Sequence, residues 1–210
     1  MRFFILVSCI TLLSACQSAY YGAAEKIGYH KRDILVDRVE DSREAQQEAE
    51  EQFQSALEQL SLLVNFDGGD LEDIYEDMNE EYEEAEEAAD EVRSRIKAIE
   101  NVAKALFSEW EDEIEQYSSN RLKADSRQKL AETQKRYQGM IVVLHKSERK
   151  MDPVLSALKD NVLYLKHNLN ARAVASLKVE FKSIESDIDI LIQEMRKAIA
   201  SSDEFIASMK

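Results

Sequence analysis

The sequence predicts an all-α fold: an elongated antiparallel four-helix bundle, or a looser pair of coiled-coil hairpins. Three observations carry the prediction. The 210 residues contain one Pro and five Gly, too few for a β-sandwich, a βαβ fold or a loop-rich enzyme, which need turn residues every ~8–12 positions. Charged residues make up 33% of the chain, and the heavy use of Ala, Glu, Lys, Leu and Arg is that of long helices. Apolar residues recur at alternating steps of three and four along four segments, the coiled-coil period.

The first element is an address. Met1-Arg2 is a short positive start and Phe3 to Leu13 an apolar run of 11 residues. A bilayer span needs about 20 apolar residues, so the run is too short to cross and suits a secretory signal. Leu13-Ser14-Ala15-Cys16 then has the form of a bacterial lipobox, with small residues before a Cys whose thiol takes the lipid. Residues 1–15 are expected to be a lipoprotein signal peptide, 16–21 a lipidated tether and 22–210 the helical coiled-coil bundle. The two cysteines fit this reading. Cys9 leaves with the signal and Cys16 becomes the palmitate-bearing anchor, so no thiol remains for an oxidising compartment to act on. Gln17 stands where Asp would favour the inner membrane, so the expected location is the outer membrane, with the body on the periplasmic side.

The four seams follow in order. The first holds Leu35, Val39, Ser42, Gln46, Ala49, Phe53, Ala56, Leu60 and Leu63, with two polar members. The second runs from Leu71 through Met78, Tyr82, Ala89 and Ile96 to Trp110, Glu113 and Tyr117, with thirteen of fourteen positions apolar or aromatic. The third runs from Leu130 to Leu158, then slips by one residue to Val162, Leu165 and Leu169. The fourth runs from Val174 to Met209. Turn chemistry separates them at Asp67-Gly68-Gly69-Asp70, at Ser118-Ser119-Asn120 and, more weakly, at Asn168 to Asn170. Asp152 before Pro153 predicts a kinked or restarted helix inside the third rod. Short turns make successive helices antiparallel neighbours. Folding about Gly68-Gly69 sets residue i opposite about 136 − i, which brings Ala45 and Ala49 to Ala88, Ala89 and Val92. Folding about Asn170 sets Leu158 on Phe181 and Leu144 on Met195.

This topology gathers the N-terminus, the 118–120 turn and the C-terminus at one end. Charge is unevenly shared between the ends. Without Arg2 the chain after residue 15 has 26 cations and 42 anions. The anchor-side half (17–41, 94–145 and 190–210) holds 16 of each sign, and the far half 10 cations and 26 anions. Asp70 to Glu91 contains thirteen acids and no base. Asp70, Glu72, Asp73, Glu76, Asp77, Glu80 and Glu81 open this acidic face, read either as a docking pole or as a solvated helix surface. At the other end, Tyr29, His30, Lys31, Arg32 and Arg38 follow the anchor closely and suit a membrane interface, while packing against Trp110 and Tyr117 explains the same aromatics. The cations from Arg121 to Lys150, whose first half lies at the anchor end within reach of lipid phosphates, are read chiefly as partners of Glu109, Glu111, Asp112, Glu113 and Glu115 across the turn.

The net charge of −15 argues against nucleic acid, whose affinity comes from cations on phosphates. No phosphate loop exists among the five glycines, so no nucleotide is expected. The three histidines form no HExxH and have no Cys partners, so no metal or other cofactor is expected. The turn Asp67-Gly68-Gly69-Asp70 lacks the ligand spacing of a calcium loop. No catalytic residue is identified and no enzyme is expected.

The stretch from Tyr20 to Val39, with Ala45-Gln46-Gln47-Glu48-Ala49 and Glu51-Gln52-Phe53, resembles a proteobacterial family of helical lipoproteins of unknown function. The resemblance covers nearly all of the chain after the signal and brings no activity, cofactor or catalytic residue. Members are sometimes labelled DNA-repair ATPases, which the missing phosphate loop, the acidity and the export signal contradict here. The expected function is a non-enzymatic envelope lipoprotein, a membrane-anchored periplasmic spacer or protein-docking scaffold. Its expected contacts are the membrane, through the lipid, and an envelope protein or a second copy. A periplasmic holdase with an openable apolar groove is the alternative.

Overall fold

The computed structural model describes residues 30–66, 68 and 71–209. The proposed signal peptide, Cys16, Tyr29, Asp67, Gly69 and Asp70 lie outside the described residues. Four helices account for nearly all of the described residues: α1 Lys31–Val64, α2 Leu71–Gln116, α3 Asn120–Lys166 and α4 Ala171–Met209. At 1.5 Å per residue, the 46 residues of α2 make a rod about 70 Å long.

The helix ends follow local chemistry. His30 precedes α1 in an extended conformation, and its carbonyl accepts from the N–H of Asp33 at 2.9 Å and of Ile34 at 3.1 Å. Asn65 closes α1 by donating its side-chain amide to the Ser61 carbonyl at 2.8 Å. Gly68 follows at φ +145°, a backbone region that L side chains rarely adopt. Ser119 caps α3, accepting from the Leu122 N–H at 3.4 Å. Asn170 caps α4 more fully, its Oδ1 accepting from the N–H of Arg172 at 3.1 Å and of Ala173 at 3.2 Å.

α1 packs on α2 and α4, and α3 packs on the same two. The ring is therefore closed, an up-down-up-down bundle rather than two open hairpins. The first hairpin has the register that the sequence predicts. Ser55 Oγ donates to Glu81 at 2.8 Å, Gln52 Nε2 to Glu84 at 2.9 Å, and Arg95 Nη1 to Asp41 at 3.4 Å; each pair obeys 136 − i. In the second hairpin Lys146 meets Glu194 at 2.8 Å, one residue from the expected alignment.

All nine seam positions of α1 are 0% exposed, including the polar Ser42 and Gln46. The polar pair lies in the core because helical periodicity places it there, and it finds one partner: Ser147 Oγ of α3 donates to Gln46 Oε1 at 2.9 Å. Gln46 Nε2 and Ser42 Oγ are buried without a partner. Small residues Ala49, Ala56, Ala85 and Ala89 are also fully buried, and they let α1 and α2 approach closely.

Three expectations are corrected. The second seam does not continue to Glu113 and Tyr117, which are exposed; Ile114 is buried in their place. A straight helix drifts by about 20° per heptad against a strict 3.5 period, so a four-residue step past Trp110 restores contact. Leu169 is exposed because α3 stops at Lys166. Pro153 does not restart a helix: α3 runs unbroken from Asn120 to Lys166 with Pro153 on its exposed side. Asp152 does not cap; it accepts from Arg93 of α2 at 2.5 Å. The buried neighbours Met151 and Val154 hold the helix in place across the lost backbone donor.

Candidate functional site

The two ends of the rod carry different chemistry. At the N-terminal end the start of α1, the end of α2, the start of α3 and the end of α4 converge. Lys31 Nζ donates to Glu109 Oε1 at 2.8 Å. Arg32 Nη2 donates to the Met209 carbonyl, tying the first turn of α1 to the last of α4. Arg38 Nη1 reaches Asp41 at 2.9 Å. Across the next turn, Glu115 accepts from Lys123 and Arg127, each at 2.7 Å. Those two hydrogen bonds, that of Lys123 foremost, hold the Glu115 carboxyl below its ordinary range. The cations expected at the membrane side are thus placed together at one end, and several are matched by protein acceptors. His30 is exposed beside a shallow hollow that Arg32, Asp33 and Met209 also line.

The same end holds a cavity of about 340 Å³ between all four helices. Leu106, Thr133 and Met209 are buried in its wall, Trp110 is half-buried there, and Arg32, Lys129 and Arg136 are exposed at its rim. No pattern in the sequence marks this cavity, because its walls come from positions as distant as Arg32 and Met209. The sequence marks Trp110 as a seam residue and as a packing partner for the aromatics near the anchor, not as a cavity wall. In the structure its indole N–H donates to Ser126 Oγ at 2.9 Å.

At the far end α2 presents its acids. Glu72, Asp73, Glu76, Asp77 and Glu80 are exposed, and Glu81 is half-buried. Glu81 accepts from Gln52 at 2.9 Å and from Ser55 at 2.8 Å. From Asp73 to Glu87 no carboxylate forms an ion pair with Lys or Arg among the described residues. Lys159 stands over the Tyr82 ring at 5.7 Å from its centre. Tyr82 in turn donates to Glu86 at 2.7 Å, and burial followed by this acceptor raises its phenol above the usual value.

Between the ends, His145 of α3 bridges two carboxylates: Nδ1 lies 2.7 Å from Glu148 and Nε2 3.0 Å from Glu100 of α2. Partial burial opposes its protonation, but hydrogen bonds to Glu148 and Glu100 outweigh that and raise its pKa. Tyr137 nearby is pushed up to about 12 by burial and then by Glu100. Among the described residues, no group of three or more His, Cys, Asp or Glu is placed to hold a metal ion. No helix among them is long and apolar enough to cross a membrane.

A family model for a protein of unknown function, DUF2959, matches residues 20–209. No curated protein and no solved structure matches the chain.

Proposed function

The chain belongs to the DUF2959 family, a family of unknown function, and from that premise we propose that it is a non-enzymatic lipoprotein of the bacterial envelope. In this reading Cys16 carries the lipid, the N-terminal end of the bundle stays near the outer membrane on its periplasmic side, and the rod carries an acidic docking face away from the membrane. A rod of about 70 Å acts as spacer and scaffold together.

The observation that carries this reading is the contrast between the ends. Near the N-terminus, cations and acids are matched: Lys31 with Glu109, Lys123 and Arg127 with Glu115. At the far end the acids from Asp73 to Glu87 form no ion pair with Lys or Arg among the described residues, and their field reaches into solvent, where it attracts a cationic protein surface. The export signal and lipobox supply the membrane side of the argument. The closed ring, with every position of the α1 seam consumed internally, favours a scaffold over a holdase, which needs an apolar surface to offer.

The test is fractionation of cells carrying the full chain. The chain with Cys16 intact is expected to sediment with membranes after a high-salt wash, and Cys16→Ser to be released. A Cys16→Ser chain that stays on membranes after the wash would sink the anchor.

A further inference from the structure

We propose that the cavity at the N-terminal end of the bundle binds an anionic phospholipid of the leaflet beside it, phosphate at the rim and acyl carbons within. The inference rests on the membrane-anchored reading for its choice of ligand.

The cavity has the build of an amphiphile site. Its volume of about 340 Å³ falls at the lower end of the range for small-molecule pockets, roughly 300–1,000 Å³. Its polar handles are already used within the protein. The Trp110 indole N–H is taken by Ser126 at 2.9 Å, the Thr133 hydroxyl by the Lys129 carbonyl at 2.9 Å, and the Ser208 hydroxyl by the Phe205 carbonyl at 2.7 Å. What remains to a guest inside is the indole ring, Leu106 and Met209, an apolar lining suited to methylenes.

The rim is cationic. Arg32, Lys129 and Arg136 line it with Glu109 and Glu113. Lys31 neutralises Glu109 from outside the cavity at 2.8 Å, which leaves Arg32 and Arg136, beside a partly neutralised Lys129, facing Glu113. Lys129 also meets Asp125 at 2.9 Å. Arg136 forms no ion pair among the described residues, and its planar fork matches two oxygens of a phosphate. A cationic ring above an apolar floor is complementary to an anionic headgroup above its chains. The 14 residues from Cys16 to Tyr29 span at most ~50 Å when extended, so an anchored chain keeps this end within reach of the leaflet.

Trp110 is the sole tryptophan and lines the cavity, so it reports occupancy directly. The assay uses the full chain carrying Cys16→Ser and monomeric short-chain phosphatidylglycerol with bromine on its acyl chains. Saturable quenching of Trp110 is expected. Replacing both Lys129→Gln and Arg136→Gln should weaken binding by about tenfold or more, since each cation near an anionic lipid adds its own attraction. Arg149→Gln, outside the cavity, should leave it unchanged, and thermal melts followed by circular dichroism verify that the variants are folded. Inorganic phosphate at the same concentration should not displace the lipid. The proposal is overturned by Trp110 emission indifferent to the lipid, as when residues 17–29 or another occupant fill the cavity. It is equally overturned by quenching that the double variant retains, or by displacement with phosphate alone. Mass measurement of the unsubstituted chain separates the two readings: missing acylation at Cys16 sinks the anchor and not the cavity, and absent quenching with acylation present sinks the cavity alone.

Discussion

Gln46 shows how much a single buried side chain decides. It is 0% exposed, accepts from Ser147, and leaves its own amide N–H groups without a partner. Removing the hydroxyl alone, Ser147→Ala, orphans both faces of the amide and should cost about 1–3 kcal/mol in denaturant unfolding. Replacing both partners, Gln46→Leu with Ser147→Ala, removes the orphaned donor and the hydroxyl together, and the double variant should be more stable than Ser147→Ala alone by about 1–3 kcal/mol. His145 makes a second prediction at this scale. Its pKa is raised in the folded chain by Glu148 and Glu100, so its contribution is fully present below the unfolded histidine value of about 6.5. That contribution is lost as pH rises through the folded pKa. The melting difference between wild type and His145→Gln should therefore be larger at pH 5.5 than at pH 8.5; an equal difference at both would remove the carboxylate bridge from the account. Glu194 behaves oppositely. Lys146 and Lys197 lower its pKa, so its share of stability is present above the unfolded glutamate value and is lost as pH falls through the lowered one.

At the scale of the helix, caps and propensities set the margins. Asn170 accepts from two N–H groups at the start of α4, and Asn170→Ala should cost about 1 kcal/mol. The single longer contact of Ser119 predicts a smaller loss for Ser119→Ala. Gly139 lies exposed inside α3, where an added Cβ meets nothing within 4 Å. Gly139→Ala should therefore stabilise the chain by about 0.5–1 kcal/mol, measured by thermal unfolding. These elements were legible in the sequence to different depths. The 3,4 step located the α1 seam although Ser42 and Gln46 weaken its apolar signal, because period and not mean hydropathy decides which face is inward. It also aligned the first hairpin, where Ser55 meets Glu81 and Gln52 meets Glu84. It failed past Trp110, where helical drift moves the buried position to Ile114. At Pro153 the step held, with Met151, Val154 and Leu158 buried, and it was the local breaker signal that misled, because tertiary burial overrides it. The terminal cavity left no trace in the sequence, since no periodicity within one helix records where four helix ends fail to fill the space between them.

For the whole molecule, charge is the property that distinguishes one end from the other. The far half carries 26 acids against 10 bases, and the α2 acids from Asp73 to Glu87 form no ion pairs among the described residues. Screening their mutual repulsion should stabilise the fold. Raising sodium chloride from 10 mM to 500 mM shortens the Debye length from about 30 Å to a few ångström and should lift the melting temperature by roughly 2–4 °C per kcal/mol relieved. A melting temperature that falls with salt would mean that matched ion pairs such as Glu115 with Lys123 and Arg127 outweigh the acidic pole.

If an anchored rod offers this acidic pole to a protein partner, photocrosslinking in cells will capture that partner. A photoreactive residue at Glu76 or Glu83 on the exposed face of α2, compared with one at Arg121 at the other end, would capture what each end touches. Adducts from Glu76 and Glu83 to one recurring envelope protein with a basic surface are expected, and are lost when neighbouring acids are changed to Lys. Adducts spread over many unrelated unfolded exports would contradict the docking role and make the chain a holdase. Adducts to the chain itself alone would contradict it as well, leaving an oligomeric spacer with no docking role.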